Sequence, residues 1–287
     1  MQERVDHPTI PKEAKMILAG GGVYYKSARP LLEMGLNLSG KEKPNVLIIP
    51  TPKKIQAAFE KLVDGSNKMY GEELGVNVDF LHNFEEMPDY ETMQNKFNNS
   101  DVIYLSGGNT RHAMELWKKH GIDTMLSDAM RKGKIITGIS AGALAWFKEC
   151  HSDPTEHDAP EGSTLDYTIV NGMGNIDTIA SAHTNSHKTP DGRLRLEHLK
   201  DYLESQKKDG LIEYGLGIDN NAAIVALNGL VKIVTSKNDA CLYVVGSDRS
   251  EKELDAPKYD SDKPVEQLDE DGVSWQEFYR QLADKAE

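Results

Sequence analysis

The chain has 287 residues, of which 38% are hydrophobic, and it contains no apolar run near the roughly 20 residues that a membrane helix needs. Its formal net charge of -13 argues against nucleic acid as a partner, because phosphate binding uses clusters of Lys and Arg. Two cysteines are too few for a disulfide framework, and segment 1–15 lacks the apolar core of a secretion signal, so we expect a soluble cytoplasmic protein.

Short apolar runs alternate with helical patterns through the first half of the chain. The runs lie at 15–19, 45–50, 76–81, 101–105 and 134–139. Each is β-branched or aliphatic and bounded by Gly, Pro or polar residues, as in strands buried on both faces. The helical patterns cover 55–74, 110–120, 123–131 and 141–147. This alternation predicts a parallel sheet with helices on both faces, which is a three-layer α/β fold.

The second half of the chain predicts a mixed edge of this sheet. Strands are expected at 165–170, 178–180, 214–218, 222–227, 230–235 and 241–244, with a helix at 191–207. Asn228 and Gly229 lie between two of these runs and favour a hairpin.

The last part of the chain, from Ser250 to Glu287, carries twelve acidic and five basic residues. Within it, Ser274 and Glu277 have capping-box spacing, which predicts the start of a short helix. One stripe of that helix is apolar and is expected to pack on the domain; it consists of Trp275, Phe278, Tyr279 and Leu282.

The strongest signal for chemistry is the segment 138–142, Gly-Ile-Ser-Ala-Gly, where a buried strand gives way to a helical pattern. A nucleophile elbow has this arrangement, because small neighbours leave room for a serine on a strained strand-to-helix turn. The N-terminus of the helix would favour an alkoxide and an oxyanion. Ser140 is therefore the candidate nucleophile. The alternative is a Gly-rich turn that only lets strand and helix pack closely.

A second Gly-rich turn, 106–110, follows another buried strand. In a parallel sheet it shares the carboxyl edge with Ser140, so the amides of Gly108 and Asn109 would form one half of an oxyanion hole. The amide of Ala141 would form the other half. A simple helix cap by Asn109 is the alternative.

Nine histidines are available to act as the base. His183 stands out because it follows the predicted strand 178–180 and so lies at a strand end. It could also be drawn into a metal site with His151, His157 and His187, although no motif such as H-E-x-x-H fixes the ligand geometry. The residues alone leave the base open.

Five motifs together resemble the peptidase E and cyanophycinase family of serine peptidases. They are the glycines at 20–22, which alone equally suit a nucleotide phosphate, and segments 49–51, 106–110, 138–143 and 217–223. The resemblance implies a class I glutamine amidotransferase-like fold, a three-layer α/β sandwich with a mostly parallel central sheet. We expect a tail at 1–13, a catalytic domain at 14–248 and an acidic extension with a short helix at 249–287.

The resemblance also implies the roles of site residues. It places the nucleophile on Ser140, the base on His183 and the oxyanion hole on Gly108 and Ala141. No metal or organic cofactor is needed for this chemistry.

The same resemblance places an acid after the nucleophile helix and a basic group against an acidic substrate side chain. Asp153 matches the acid best, with Glu156 and Asp158 as competitors. Arg193 and Arg195 are the candidates for the basic group, because a guanidinium fork suits a carboxylate.

The implied function is a serine peptidase that cleaves short peptides after an N-terminal aspartyl residue. Two alternatives stay open: cyanophycinase-like hydrolysis of β-aspartyl-arginine, and a noncatalytic small-ligand-binding protein that keeps the fold. A glutamine amidotransferase is disfavoured, because Ser140 stands where that chemistry uses a thiol. The expected partner is a short peptide, and whether the chain forms a homo-oligomer stays open.

Overall fold

The computed structural model describes residues 10–22, 29–50, 56–84, 86–153, 167–186, 189, 191–206, 214–254, 256–259 and 272–286. The strands are β1 (Lys15–Ala19), β2 (Asn45–Ile49), β3 (Asn77–Phe80), β4 (Val102–Leu105), β5 (Ile135–Ile139), β6 (Phe147–Ser152), β7 (Thr168–Asn171), β8 (Ile176–Ala182), β9 (Tyr214–Ile218), β10 (Ala222–Leu227), β11 (Leu230–Thr235), β12 (Leu242–Gly246), β13 (Glu251–Leu254) and β14 (Val273–Ser274). The helices are α1 (Arg29–Asn37), α2 (Gln56–Ser66), α3 (Tyr90–Asn99), α4 (Thr110–His120), α5 (Ile122–Arg131), α6 (Ala141–Leu144), α7 (Arg195–Gln206) and α8 (Trp275–Ala286), and a π-helical segment, Asn67–Glu73, continues α2. In the described ranges no helix combines the length and apolarity that crossing a bilayer requires.

A central eight-stranded sheet has the order β14-β11-β10-β1-β5-β4-β2-β3. Strands β1, β5, β4, β2 and β3 run parallel, whereas β10, β11 and β14 pair antiparallel at one side. The predicted parallel centre is therefore confirmed. Of the six strands expected at its mixed edge, only 222–227 and 230–235 lie there, as β10 and β11, whereas β8, β9 and β12 belong to another sheet. Asn228 and Gly229 have φ of 53° and 80°, the left-handed conformation that a two-residue hairpin needs, and the predicted hairpin is present.

Helices cover both faces of the central sheet and give three layers. On one face, Leu31 and Met34 of α1 and Tyr70 of the π-helical segment are buried against the strands. On the other face, Trp117 of α4 and Leu126 of α5 are fully buried in the main core. Parallel α/β proteins place their sites at the carboxyl ends of the strands, and Ser106 and Ser140 directly follow the ends of β4 and β5.

A second, six-stranded sheet was not predicted. Its order is β13-β12-β9-β8-β6-β7, and β6, β8 and β9 run parallel within it. One of its faces joins the main core, and α7 covers the other through Leu199 and Leu203. The predicted helix 141–147 is too long, because the helix ends at Leu144 and Phe147 already begins β6.

The predicted C-terminal helix is present as α8. Ser274 Oγ accepts a hydrogen bond from the Glu277 amide at 3.1 Å and caps its first turn. The predicted apolar stripe is buried in the main core; its members are Trp275, Phe278, Tyr279 and Leu282. Tyr279 also accepts a hydrogen bond from the Asp177 amide at 3.0 Å, which ties the helix to β8.

Candidate active site

Ser140 lies on a strained turn directly after β5. Its φ of 51° and ψ of -118° are unusual for a residue with a side chain, and it precedes the first residue of α6. A side chain at Gly142 would place its Cβ 2.3 Å from the Leu105 carbonyl oxygen, so only glycine lets α6 contact the end of β4. The local structure is that of the nucleophile elbow expected from the sequence.

His183 reaches Ser140 from the second sheet. It follows β8 directly, and its Nε2 lies 2.7 Å from Ser140 Oγ. Like Ser140, His183 has a positive φ, 58°, which is unusual for a residue other than glycine. Two strained residues from different sheets therefore meet at one hydrogen bond, as is common where backbone strain serves an active site.

The other ring nitrogen of His183 contacts Asn220, which follows β9. His183 Nδ1 lies 2.7 Å from Asn220 Oδ1. An amide oxygen can only accept, so Nδ1 carries the hydrogen and donates it. Nε2 is then left to accept the hydroxyl hydrogen of Ser140, which is the arrangement that a general base requires.

Asp153 does not hold the place in the site that the sequence analysis gave it. Both ring nitrogens of His183 bind other groups, and the Asp153 carboxylate accepts a hydrogen bond from Arg195 Nη2. The structure therefore does not pair Asp153, the predicted acidic member of the triad, with either ring nitrogen of His183, and Asn220 lies where that member was expected. The competing acids, Glu156 and Asp158, lie outside the described residues.

The two arginines expected to bind substrate lie in different surroundings. Arg195 is 8% exposed, pairs with Asp153 and lies over the ring of Tyr167 at 5.1 Å. Arg193 is exposed and forms ion pairs with surface carboxylates at 2.6 and 2.9 Å, those of Asp191 and Asp201. The structure thus places only Arg195 in a buried setting, whereas Arg193 belongs to a solvated network.

Burial and charge keep His183 neutral. Burial lowers the pKa of His183 to about 4, and the nearby positive charge of Arg195 acts in the same direction. The negative charge of Asp153 acts in the opposite direction but has a smaller effect. His183 is therefore unprotonated at neutral pH, the state in which it can accept a proton.

The Gly-rich turn after β4 lies beside Ser140. A side chain at Gly107 would place its Cβ 3.2 Å from Ser140 Cβ. The amides of Gly108, in this turn, and of Ala141, directly after Ser140, have no hydrogen-bond partner among the residues that the structure describes. Asn109 caps α4, because its side chain accepts from the His112 amide at 3.1 Å. The oxyanion roles of Gly108, Asn109 and Ala141 stay predictions.

The Gly-rich turn at 20–22 also borders the site. A side chain at Gly21 would place its Cβ 2.1 Å from Asn220 Oδ1 and 2.2 Å from His183 Nδ1. The turn therefore lies against the hydrogen bond between His183 and Asn220. This contact explains why glycine is needed at position 21, and a nucleotide phosphate is not required to explain it. The sequence gave no sign of the contact, because the two segments are far apart in the chain.

Gly21→Ala is expected to lower kcat/KM for peptide hydrolysis by at least about a hundredfold, because small displacements of catalytic groups cost that much. The new methyl group overlaps His183 and Asn220 and must push them apart. Gly65→Ala is the matched control, since Gly65 lies in α2 with no atom within 4 Å of the added Cβ. A Gly21→Ala enzyme as active as Gly65→Ala would show that the bond between His183 and Asn220 is dispensable.

His151 lies apart from this centre. It is 1% exposed, its Nδ1 lies 3.1 Å from Ser181 Oγ, and its ring stacks on Tyr167. Burial lowers its pKa to about 3. His157 and His187 lie outside the described residues, and within the described ranges no three His, Cys, Asp or Glu side chains group as a metal ion would require.

Proteins similar to this chain include peptidases. A 153-residue segment is 30% identical to the uncharacterized peptidase YgaJ of Bacillus subtilis and covers 48% of this chain and 59% of that relative. A 121-residue segment is 31% identical to the uncharacterized peptidase Lmo0363 of Listeria monocytogenes and covers 42% of this chain and 56% of that relative. The chain thus spans less than two thirds of the curated relatives that it matches.

A solved structure shows the same fold. A peptidase from an acI-B1 Actinobacterium superposes with a TM-score of 0.60 at 20% identity, over 85% of this chain and 94% of that one. The class I glutamine amidotransferase-like fold is therefore confirmed. The sequence model of peptidase family S51 matches residues 16–234, which is most of the chain and contains every residue of the site described above. The chain belongs to peptidase family S51.

Proposed function

We propose that this protein is a serine peptidase in which Ser140 is the nucleophile and His183 the general base. The observation that carries the proposal is the 2.7 Å contact between Ser140 Oγ and His183 Nε2, on a ring whose Nδ1 is held at 2.7 Å by Asn220. A serine, a base and a group that orients the base, each fixed by a different strand end, form the constellation of acyl-transfer enzymes.

In the proposed reaction His183 takes the hydroxyl proton while Ser140 Oγ attacks the carbonyl carbon of the peptide bond. The negative charge that develops on the carbonyl oxygen is stabilised by the amides of Gly108 and Ala141. His183 then gives its proton to the leaving amine, which breaks the C–N bond and leaves an acyl group on Ser140. Water, deprotonated by His183, hydrolyses this ester and restores the serine.

The proposed substrates are short peptides with an N-terminal aspartyl residue. The family resemblance supports this preference. Arg195 supports it too, because it is close enough to the site for its positive charge to lower the pKa of His183. Arg195 Nε is buried and has no hydrogen-bond partner within the described part of the chain, so a donor is left over after the pairing with Asp153.

Dipeptides that differ at the first residue test this preference, with Asp against its neutral isostere Asn, and with the α-aspartyl peptide against its β-linked isomer. Arg195→Met should reduce kcat/KM for the Asp peptide by much more than for the Asn peptide, because removing one partner of a desolvated charge pair costs about 2 to 5 kcal/mol. Arg193→Met should change neither by more than about 1 kcal/mol, the worth of a solvent-exposed ion pair. An equal small loss on both peptides for Arg195→Met would contradict the role of Arg195.

The pH dependence of kcat/KM should show an acid limb well below the ordinary histidine value. Since the pKa of His183 is lowered to about 4, the base stays neutral and activity persists until the pH falls towards that value. Arg195→Met should move the limb to higher pH, because it removes a charge that lowers this pKa and leaves Asp153, which raises it. A limb at or above about 6.5, the reference value of histidine, would contradict the environment described for His183.

A further inference from the structure

Asn220 is itself held by a second amide, Asn185. The Oδ1 of Asn185 accepts from the Asn220 backbone amide at 3.0 Å and from Asn220 Nδ2 at 2.8 Å. Both atoms of the Asn220 side-chain amide are therefore committed: Nδ2 to Asn185 and Oδ1 to His183. Neither the motifs nor the family comparison assigns a role to Asn185.

Asn185 is fixed in place by a buried carboxylate. Asp219 is 1% exposed and accepts hydrogen bonds from the Thr184 hydroxyl at 2.7 Å and the Cys241 amide at 3.0 Å. It also accepts from the backbone amide of Asn185. The turn that carries His183 and Asn185 is thus bound to the turn that carries Asp219 and Asn220.

Because the group that faces His183 Nδ1 is an amide, its orientation decides whether an acceptor or a donor faces the ring. A carboxylate would not impose this condition. A carboxylate offers an acceptor to His183 Nδ1 whichever way it is turned. An amide rotated by half a turn would present its NH2 group to Nδ1, which would then have to accept, and the ring hydrogen would move to Nε2. His183 could not then accept the Ser140 proton. In serine proteases an amide that imposes the wrong tautomer lowers kcat by about 10⁴-fold.

We propose that Asn185 is a positioning residue that sets the tautomer of His183 by fixing the orientation of the Asn220 amide. The proposal rests on the proposed function, because it concerns the base of that reaction. It explains how a neutral residue serves where such enzymes commonly use an acid: the oxygen of Asn185 accepts two N–H groups and leaves only the oxygen of Asn220 to face His183.

The first test compares two substitutions at Asn185. Asn185→Ala removes the acceptor and should lower kcat about ten- to a hundredfold, the range for one or two lost neutral hydrogen bonds, with little change in KM. Asn185→Asp keeps an acceptor for both N–H groups and should retain most of the activity. Since the Asn185 side chain is exposed, both variants are expected to melt like the wild type. Full activity of Asn185→Ala would overturn the proposal.

The second test repeats Asn185→Ala in an Asn220→Asp background. A carboxylate at 220 needs no orienting partner, so the alanine substitution should cost less than about threefold there. The rates are compared on the pH-independent plateau, because the carboxylate raises the pKa of His183. If Asn185→Ala costs the same factor in both backgrounds, Asn185 has only a structural role and the proposal fails.

The tautomer can also be observed without any reaction. In ¹⁵N-labelled protein, the imidazole nitrogen shifts of His183 should show the hydrogen on Nδ1 in the wild type and a mixture or the Nε2 form in Asn185→Ala. An unchanged Nδ1–H signal in folded Asn185→Ala would overturn the proposal. If the proposed serine-peptidase function were wrong, the result would differ. The wild type would show the tautomer signals described above, but its activity would not depend on Ser140.

Discussion

Ser140→Ala is expected to lower kcat by a factor of about 10⁴ to 10⁶ while the fold is retained, because members of a catalytic triad act as one unit. The substitution removes only Oγ, the atom that lies 2.7 Å from His183 Nε2. Alanine replaces serine at the same positive φ, so no new backbone strain is added. Steady-state hydrolysis of an aspartyl dipeptide, together with thermal melting, measures both parts of the prediction.

Ser205→Ala is the matched control for Ser140→Ala. Ser205 is exposed near the end of α7, where its hydroxyl bonds the Tyr202 carbonyl at 2.6 Å and a neighbouring side chain. Its loss should leave turnover unchanged. A Ser140→Ala enzyme that keeps even a tenth of the control's turnover would rule out Ser140 as the nucleophile.

His183→Ala is expected to be almost as inactive as Ser140→Ala, with kcat lowered by a factor of about 10⁴ to 10⁶. Without the ring, Ser140 has no acceptor for its proton and the leaving amine has no donor. Combining both substitutions should cost little more than either alone, because the second residue cannot act once the first is gone. Additive losses in the double variant would contradict a shared role.

His151→Ala separates a catalytic histidine from a merely buried one. His151 bonds Ser181 and stacks on Tyr167, so its removal should lower the free energy of unfolding by about 1 to 3 kcal/mol but spare the turnover of the folded enzyme. Adding EDTA to the wild type distinguishes the metal alternative. If EDTA abolished activity while His183→Ala spared it, the serine mechanism would be wrong.

Much of the central sheet could be predicted from the sequence, because strands buried on both faces form continuous apolar runs. The structure gives β1 the predicted bounds, Lys15–Ala19, and begins β5 one residue later than predicted, at Ile135. The second sheet was missed because the strands predicted at 178–180, 214–218 and 241–244 were placed at the edge of the central sheet. Strand β6 itself was missed because it follows α6 after only two residues, and its apolar start at Phe147 continued the helical pattern. Helix α3 was missed although Asp89 caps it, because only Met93 and Phe97 on it are buried.

The serine of the site could be located from its local sequence and the histidine from the family resemblance, whereas the residue that orients the histidine could not be located. Ser140 has a local signal, since its elbow is a strand followed by a turn and a helix. Asn220 acquires its role only through pairing of β8 with β9, which sets Ala182 opposite Ile218 and brings the next residues of both strands together. The available signal for Asn220 was its place in the chain: it is a polar residue that follows β9, the strand that neighbours the one preceding His183.

Covalent labelling with a fluorophosphonate is the sharpest test of Ser140 as the nucleophile. We expect one adduct per chain, located at Ser140 by peptide mass spectrometry, absent from Ser140→Ala and formed far more slowly in His183→Ala. Labelling should be as fast in Ser205→Ala as in the wild type. Failure of the folded wild type to react, or an adduct on a residue other than Ser140, would show that Ser140 is not the nucleophile.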